Sequence, residues 1–325
     1  MARHLVAALL LAFIDMQGVT AVYYGPSIGA ITTFKHGVSG NVFAATEMSI
    51  IISDLTYDGT GPGGRFMADK TDKLTDSGDL IPDEHGKTEK LKKYTGETVH
   101  LTLTKKVTEY KSFGIYCTVA KVDFGHVVLP PNFMLPKEQS LGKLSPMLGK
   151  TSADDVTLKD SATMLLKQFQ YDAGCAGSAF FMAAPNKYAE VAQMTKLLYN
   201  GNTDKLPKIA KTDVTLSLPT GKNWNDFTWF SVYCVDTKAS HADLDIDSRK
   251  ALAVPVHESA IPPPGPGPVP GPAPSPQNPD DKKTGGKGDA GSLSVLSLLT
   301  LTIAAVMTAL VTRQCFEGGQ HVKSS

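Results

Sequence analysis

Alternating apolar and polar residues mark the strands of this chain. Residues 98–104 and 213–218 alternate in this way, which is the pattern of a strand with one buried and one solvated face. Turn clusters rich in glycine and proline, such as residues 57–64 and 219–223, separate the short runs. The pattern predicts an all-β fold of antiparallel β-sandwich or β-barrel domains. One segment, Tyr188 to Tyr199, is expected to be helical instead.

The folded part of the chain contains the same pattern twice. Tyr57-Asp58 reappears as Tyr171-Asp172, and the apolar residues 50–52 correspond to 164–166 without a gap. After short insertions, Phe113-Gly-Ile-Tyr-Cys117 matches Phe230-Ser-Val-Tyr-Cys234. This repetition predicts two similar domains, at residues 28–131 and 145–247, each with one cysteine at the matched position.

Both ends of the chain carry an apolar run. Leu5 to Ile14 follows Arg3 and precedes the small-residue site Val19-Thr-Ala21, which is the layout of a cleaved signal peptide over residues 1–21. Leu293 to Val311 contains no charged residue and, at about 1.5 Å per residue, is long enough to cross a bilayer core as a helix. Residues 312–325 would follow it as a cytoplasmic tail.

These runs predict a single-pass plasma-membrane protein with its ectodomain outside the cell. A glycolipid anchor is one alternative, because small residues such as Gly288 and Gly291 precede the apolar run, and secretion is another. Cys315, four residues beyond Val311, is a candidate for palmitoylation.

The segment between the domains and the apolar run is rich in proline and glycine. Residues 257–292 are expected to form an extended stalk, because this composition cannot build a core. Lys plus Arg and Asp plus Glu both total 32, so the chain has no basic excess for nucleic acid. The expected partners are the membrane and either extracellular matrix components or redox partner proteins.

Several short motifs resemble the DM-13 domain, the module of the Skeletor-type extracellular domain family. They are His36-Gly-Val-Ser-Gly40, Tyr57-Asp-Gly-Thr-Gly-Pro62, Ile81-Pro-Asp-Glu84, Leu91-Lys-Lys-Tyr94, Phe113-Gly-Ile-Tyr-Cys117 and Asp123-Phe-Gly125. The first copy matches along its whole length. The second is diverged: it lacks the His-Gly-Val-Ser-Gly entry and has Tyr171-Asp-Ala-Gly-Cys175 at the turn. The resemblance implies extracellular electron transfer through the shared cysteine, Cys117 or Cys234.

The number of cysteines is informative in an oxidising exterior. Cys117, Cys175 and Cys234 precede the stalk, so at least one must stay free, cross-link to another chain or hold a ligand. Cys175 occupies the turn position where the first copy has Gly61, and we predict a Cys175–Cys234 disulfide with Cα atoms less than about 7 Å apart. Cys117 would then remain for redox chemistry or for a disulfide-linked dimer.

The remaining residues that could ligate a metal or take part in catalysis form no recognisable motif. The histidines lack metal-ligand spacing, so no metal site is predicted, and haem held by Cys117 and His126 is the one cofactor considered. No motif of an independent enzyme occurs. Two classes of function remain: a redox or prosthetic-group module working through Cys117 and Cys234, and a structural or adhesive ectodomain in which the cysteines pack or cross-link.

Overall fold

Both copies of the repeat fold as antiparallel β-structure in a computed structural model that describes residues 22–261. The strands of the first copy are β1 (Ser27–Ala30), β2 (Thr32–Thr33), β3 (Ser39–Thr46), β4 (Ser49–Tyr57), β5 (Gly64–Asp69), β6 (Asp79–Leu80), β7 (Tyr94–Thr102), β8 (Ser112–Cys117) and β9 (Val122–Val128). Those of the second are β10 (Gln139–Pro146), β11 (Ala153–Leu158), β12 (Thr163–Tyr171), β13 (Ala179–Ala184), β14 (Thr195–Lys196), β15 (Leu198–Tyr199), β16 (Ile209–Ser217), β17 (Trp229–Cys234) and β18 (Ala239–Asp245). One α-helical turn, α1 (Ser248–Ala251), and four 3₁₀ turns (Val107–Glu109, Val191–Gln193, Trp224–Asp226 and Glu258–Ala260) complete the described elements.

The strands of the first copy form two sheets. One sheet has the order β1-β3-β4-β7 and the other has the order β2-β9-β8-β5-β6. Strands β1 and β2 are separated by Ile31 alone. The chain therefore passes from one sheet to the other at that residue.

The second copy keeps this order but joins it into one nine-stranded sheet, β14-β13-β17-β18-β10-β11-β12-β16-β15. Strand β10 pairs with β11 at Gly142 and with β18 at Ser145, so one strand does what β1 and β2 do in the first copy. The two outer strands, β14 and β15, are separated by Leu197 alone. The sheet therefore curls into a nearly closed barrel.

Unusual backbone conformations recur at matched positions of the two copies. Asp54 and Gln168 have φ angles of 54° and 49°, and Lys121 and Lys238 have φ angles of 55° and 50°. Left-handed conformations are uncommon for residues other than glycine. Their recurrence shows that the two copies follow the same backbone path at these points.

Buried apolar residues of the central strands β4 and β12 form much of the core. Ile52 of β4 and Leu166 of β12 are fully buried. Leu165, the neighbour of Leu166, is only half-buried because its side chain points to the other face of the strand. Ile51 is on the corresponding face of β4 but is fully buried, since it belongs to the apolar cluster of the second copy.

Residues that follow β18 connect the two copies. Tyr23 Oη donates to Val254 O at 2.8 Å, and the N–H of Val256 donates to Ala45 O at 2.9 Å. Tyr23 and Ala45 also belong to the buried cluster of the second copy. The copies are therefore joined through shared apolar packing as well as hydrogen bonds.

The prediction of a helix over Tyr188 to Tyr199 is wrong. A 3₁₀ turn at Val191–Gln193 is followed there by β14 and β15. These strands pair with β13 and β16, and the N–H of Leu197 donates to Phe181 O at 2.9 Å. Pairing with two sheet edges outweighs the weak helix preference of the segment.

No helix within residues 22–261 has the length and apolar character needed to cross a membrane. The predicted signal peptide 1–21, the stalk beyond Ile261, the spanning helix 293–311 and the tail 312–325 with Cys315 lie outside the described residues.

Candidate functional site

The matched cysteines occupy equivalent strand ends. Cys117 is the last residue of β8 and Cys234 is the last residue of β17. Both side chains are buried, with exposed fractions of 0%. Cys117 pairs with Gly64 at the start of β5, and Cys234 pairs with Ala179 at the start of β13. Each cysteine therefore lies beside the loop that carries the Tyr-Asp turn.

Aromatic side chains fill the space near Cys117. A Cβ added to Gly64 would lie 2.4 Å from Tyr57 Oη, so the tyrosine hydroxyl covers the residue opposite Cys117. The rings of Tyr57 and Phe124 stack with centroids 6.1 Å apart. Burial raises the pKa of Tyr57, and the negative charge of Asp58 raises it further. The Cys117 thiol is thus enclosed beside two rings, and its Sγ accepts the N–H of Ala120 at 3.3 Å.

A β-bulge directs one residue of each copy towards this region. On β9, Phe124 has no partner because Ile115 pairs with Gly125 and Tyr116 pairs with Asp123. His241 is the corresponding unpaired residue of β18, between the partners of Val232 and Tyr233. A bulge bends its strand and redirects the extra side chain.

The carbonyl groups of the bulge residues make the same contacts in both copies. Phe124 O accepts the N–H groups of Phe34 and Lys35 at 3.0 and 2.9 Å, and His241 O accepts those of Met147 and Leu148 at 2.9 and 3.0 Å. Phe124 and His241 are therefore structurally equivalent.

Tyr57 and Phe124 form an aromatic pocket beside Cys117 in the first copy, and His36 covers it. Its Nδ1 lies 3.0 Å from Asp58 Oδ2, and its ring centroid lies 4.2 Å from that of Phe124. The N–H of Thr60 lowers the pKa of the Asp58 carboxyl, and His36 lowers it further. The His-Gly-Val-Ser-Gly motif thus supplies a lid for the aromatic pocket.

The second copy closes the same turn with backbone instead of a histidine. The N–H of Lys150 donates to Asp172 Oδ2 at 2.9 Å and is the largest cause of the lowered pKa of this carboxyl. A Cβ added to Gly149 would lie 2.7 Å from the same oxygen. In the second copy the backbone at residues 149–150 therefore contacts the Asp172 carboxylate, whereas in the first copy His36 contacts Asp58.

Cys175 and Cys234 form a disulfide with Cα atoms 5.7 Å apart, which is the pairing expected from the sequence. Cys175 is half-buried in the loop between β12 and β13, and its N–H donates to Tyr171 Oη at 3.4 Å. Within residues 22–261, Cys117 is the free cysteine. Because it is buried, a disulfide-linked dimer through Cys117 would require its pocket to open.

His241 joins this disulfide in a cluster that was not predicted from the sequence. One nitrogen of its ring and the two sulfur atoms all lie within 4.8 Å of one another. Its ring packs edge-on against Tyr171 with centroids 5.9 Å apart, and its Nδ1 is buried without a hydrogen-bond partner. Spacing along the chain does not reveal the cluster, because these residues come from a loop and two strands. The available signal was the repeat itself, which aligns His241 with Phe124.

Cys117 and His126 do not form the haem site considered from the sequence. His126 Nδ1 lies 2.7 Å from Asp123 Oδ2, so this nitrogen is already paired. Cys117 is fully buried next to the side chains of Tyr57 and Phe124, which leaves no room for a tetrapyrrole at its sulfur. The residues present therefore do not fit haem.

The fold and the site define a class of protein: a tandem pair of antiparallel β-domains, each with a buried cysteine at the end of an equivalent strand. The chain belongs to the DM13 family, whose family model, described as "Electron transfer DM13", matches residues 30–129 and 148–246. These ranges correspond closely to the two copies of the repeat.

Two curated relatives extend the comparison. Protein Skeletor, isoforms B/C, of Drosophila melanogaster is 32% identical over 216 residues, which is 65% of this chain and 27% of the relative. Protein Skeletor, isoforms D/E, of the same organism is also 32% identical over 216 residues, which is 14% of its length. The chain thus spans less than a third of either relative. No solved structure matches this chain.

Proposed function

We propose that this protein is a membrane-anchored extracellular electron-transfer module whose redox group is the Cys175–Cys234 pair. The observation that carries the proposal is the unequal burial of the pair: Cys175 is half-buried in a loop, whereas Cys234 is fully buried. Thiol–disulfide exchange begins when a thiolate attacks a reachable sulfur. The geometry favours attack at Cys175, with Cys234 as the leaving thiol.

The exchange transfers two electrons. A dithiol of a redox partner protein is oxidised to its own disulfide while the Cys175–Cys234 bond is broken. The two protons of that dithiol end on the sulfur atoms of Cys175 and Cys234. In the reverse reaction the two thiols reduce a disulfide of a second partner protein, which takes up the two electrons and two protons, and the Cys175–Cys234 bond forms again.

Cys117 has a different role in this proposal. Its buried thiol packs as a small apolar group near Tyr57 and Phe124, as free cysteines in protein cores commonly do. The first copy then supports the fold while the second carries the redox chemistry. This division departs from the expectation that Cys117 and Cys234 act alike.

The membrane anchor is the second part of the proposal. It is supported by the signal-like start, the proline-rich segment 257–292 and the uncharged run 293–311. Protease treatment of intact cells should remove both domains and leave a small membrane fragment that contains Cys315, where palmitate can be sought. Release of the whole protein by a phosphatidylinositol-specific phospholipase would establish a glycolipid anchor instead.

A redox titration tests the electron-transfer role. The purified full chain is equilibrated with dithiol buffers of known potential, and free thiols are alkylated and located by peptide mapping. We expect Cys175 and Cys234 to open together in the folded protein at a midpoint above about −300 mV, because structural disulfides generally lie below that value. A Cys117→Ala control should give the same midpoint.

The second candidate is a structural or adhesive ectodomain at the cell surface. The full burial of Cys117 and Cys234 is the observation that favours it, since buried thiols and disulfides are commonly inert. In that case the Cys175–Cys234 bond should open only when the second domain unfolds. The same titration, followed by circular dichroism, separates the two functions.

A further inference from the structure

We infer that the second domain becomes a metal-binding site when its disulfide is reduced, with Cys175, Cys234 and His241 as the protein ligands. The ligand class is a thiolate-seeking ion such as Zn²⁺ or Cu⁺, because two thiolates and an imidazole form a soft donor set. The inference rests on the proposed function in one respect, which is that the disulfide can open in the folded protein.

The three donor atoms are already close together. Both sulfur atoms and one ring nitrogen of His241 lie within 4.8 Å of one another. In a tetrahedral zinc site, with Zn–S near 2.3 Å and Zn–N near 2.0 Å, donor atoms are roughly 3.5 to 4 Å apart. The sulfur atoms therefore need only separate modestly after reduction, and Cys175 lies in a loop that can supply this movement.

His241 supplies an independent reason to assign a ligand. Its side chain is only 4% exposed, yet its Nδ1 has no hydrogen-bond partner. A buried polar atom left unpaired costs about 1 to 3 kcal/mol, and a ligand bound at the ring would offset this cost. The bulge of β18 holds the ring beside the sulfur atoms, and coordination would use the electron pair of the unprotonated nitrogen.

The first domain lacks the same site. Its matched positions carry Gly61 instead of Cys175 and Phe124 instead of His241, so neither position offers Cys117 a second thiol or an imidazole. The two domains thus have equivalent backbones, and the second has gained both missing donors. Because Cys175 is only half-buried, water or a side chain of a partner protein can reach the metal and serve as its fourth ligand.

The chemistry balances in two steps. A dithiol reductant loses two electrons and becomes a disulfide, while the Cys175–Cys234 bond is broken and each sulfur takes one proton. Binding of Zn²⁺ then displaces these two protons to solvent and forms two metal–thiolate bonds and one metal–imidazole bond. A disulfide of a partner protein would accept two electrons from the metal-bound thiolates, take up two protons from solvent to become a dithiol, and so re-form the Cys175–Cys234 bond and release the ion.

The test uses the purified full chain with Cys117→Ala and Cys315→Ala, so that Cys175 and Cys234 are its remaining thiols. The disulfide is opened under argon with a phosphine reductant, the phosphine is removed, and Co²⁺ and then Zn²⁺ are titrated. We expect one Co²⁺ per chain, with thiolate-to-cobalt charge transfer and visible bands of tetrahedral cobalt, which Zn²⁺ displaces. The oxidised protein should show none of these bands.

His241→Gln is the decisive variant and His85→Gln, at an exposed position, is its control. Removal of a residue that only hydrogen-bonds to a metal ligand typically lowers metal affinity by 10- to 100-fold. Removal of the ligand His241 itself should therefore lower the affinity by at least about tenfold. His85→Gln should bind as the parent does. Formation of the Cys175–Cys234 disulfide in oxidised His241→Gln shows that the variant folds.

Two results would overturn the inference: a reduced parent that gives no cobalt–thiolate band, or a folded His241→Gln protein that binds Co²⁺ as tightly as the parent. Failure of the proposed function looks different. In that case the phosphine-reduced protein binds the metal, but the disulfide does not open in the dithiol buffers.

Discussion

Phe124 and His241 are the extra residues of equivalent β-bulges, and Phe124 occupies space that a side chain at Gly61 would need. In the first copy a Cβ at Gly61 would lie 2.4 Å from Phe124 Cε2. In the second copy the smaller imidazole of His241 accompanies the Cys175–Cys234 disulfide. The two copies thus differ at both positions: Gly61 and Phe124 accompany the lone buried thiol, whereas Cys175 and His241 accompany the disulfide.

Transplanting the second site into the first copy tests this relationship. The double change Gly61→Cys with Phe124→His should allow the introduced thiol to bond to Cys117. Gly61→Cys alone should leave Cys117 free and lower the stability by about 1 to 3 kcal/mol, because the new side chain overpacks the pocket. Peptide mapping without reduction distinguishes these results. A bond to Cys117 in the single variant would show that Phe124 is not the obstacle.

Removal of the native disulfide should destabilise the second domain. Its closed loop spans 59 positions, for which chain entropy predicts a loss of about 4 kcal/mol in Cys175→Ala. Urea unfolding at fixed oxidising potential measures the loss. The difference in the free energy of unfolding between parent and variant should shrink sharply when both are measured in excess reductant. An unchanged difference would mean that the Cys175 side chain stabilises the domain by packing and not through the disulfide.

The leucines of β12 provide a matched pair for the core. Leu166→Ala should cost about 2 to 5 kcal/mol because its side chain is fully buried. Leu165→Ala should cost clearly less, since Leu165 is half-buried on the opposite face. Denaturant unfolding measures both values. Equal losses would contradict the assignment of these two leucines to opposite faces of β12.

The contact between the copies should weaken in alkali. Burial raises the pKa of Tyr23, whose hydroxyl donates to Val254 O. Because the folded pKa exceeds that of an unfolded tyrosine, about 10, the contribution of Tyr23 is fully present below pH 10 and is lost as the pH rises through the folded pKa.

Tyr23→Phe measures that contribution. It should cost about 0.5 to 1.5 kcal/mol at neutral pH, and this cost should diminish above pH 10. Tyr188→Phe, at a side chain that is 89% exposed, is the control and should behave as the parent. A Tyr23→Phe cost that stays constant from pH 7 to 11 would contradict the assigned hydrogen bond.

The sequence by itself determined the repeat, the β-class and the disulfide. These follow from short-range regularities: alternation over residues 98–104 and 213–218 places Leu101 and Leu216 inside, and the matched turn places Cys175 where Gly61 stands. An alignment of two copies compares equivalent positions directly, so the unusual Cys175 was visible without coordinates. The motifs of the first copy were also enough to indicate the family.

Only the tertiary structure decided which residues meet at the site. The sequence led us to expect a helix over Tyr188 to Tyr199, because pairing of that segment with two distant sheet edges has no local signature. The role of His241 depends on a bulge, and a bulge is set by strand register across β17 and β18. The burial of Cys117 depends on the rings of Tyr57 and Phe124, which other strands bring beside it. Contacts between residues far apart in sequence arise from the packing of whole strands, which is why residue spacing did not show the Cys175–Cys234–His241 cluster.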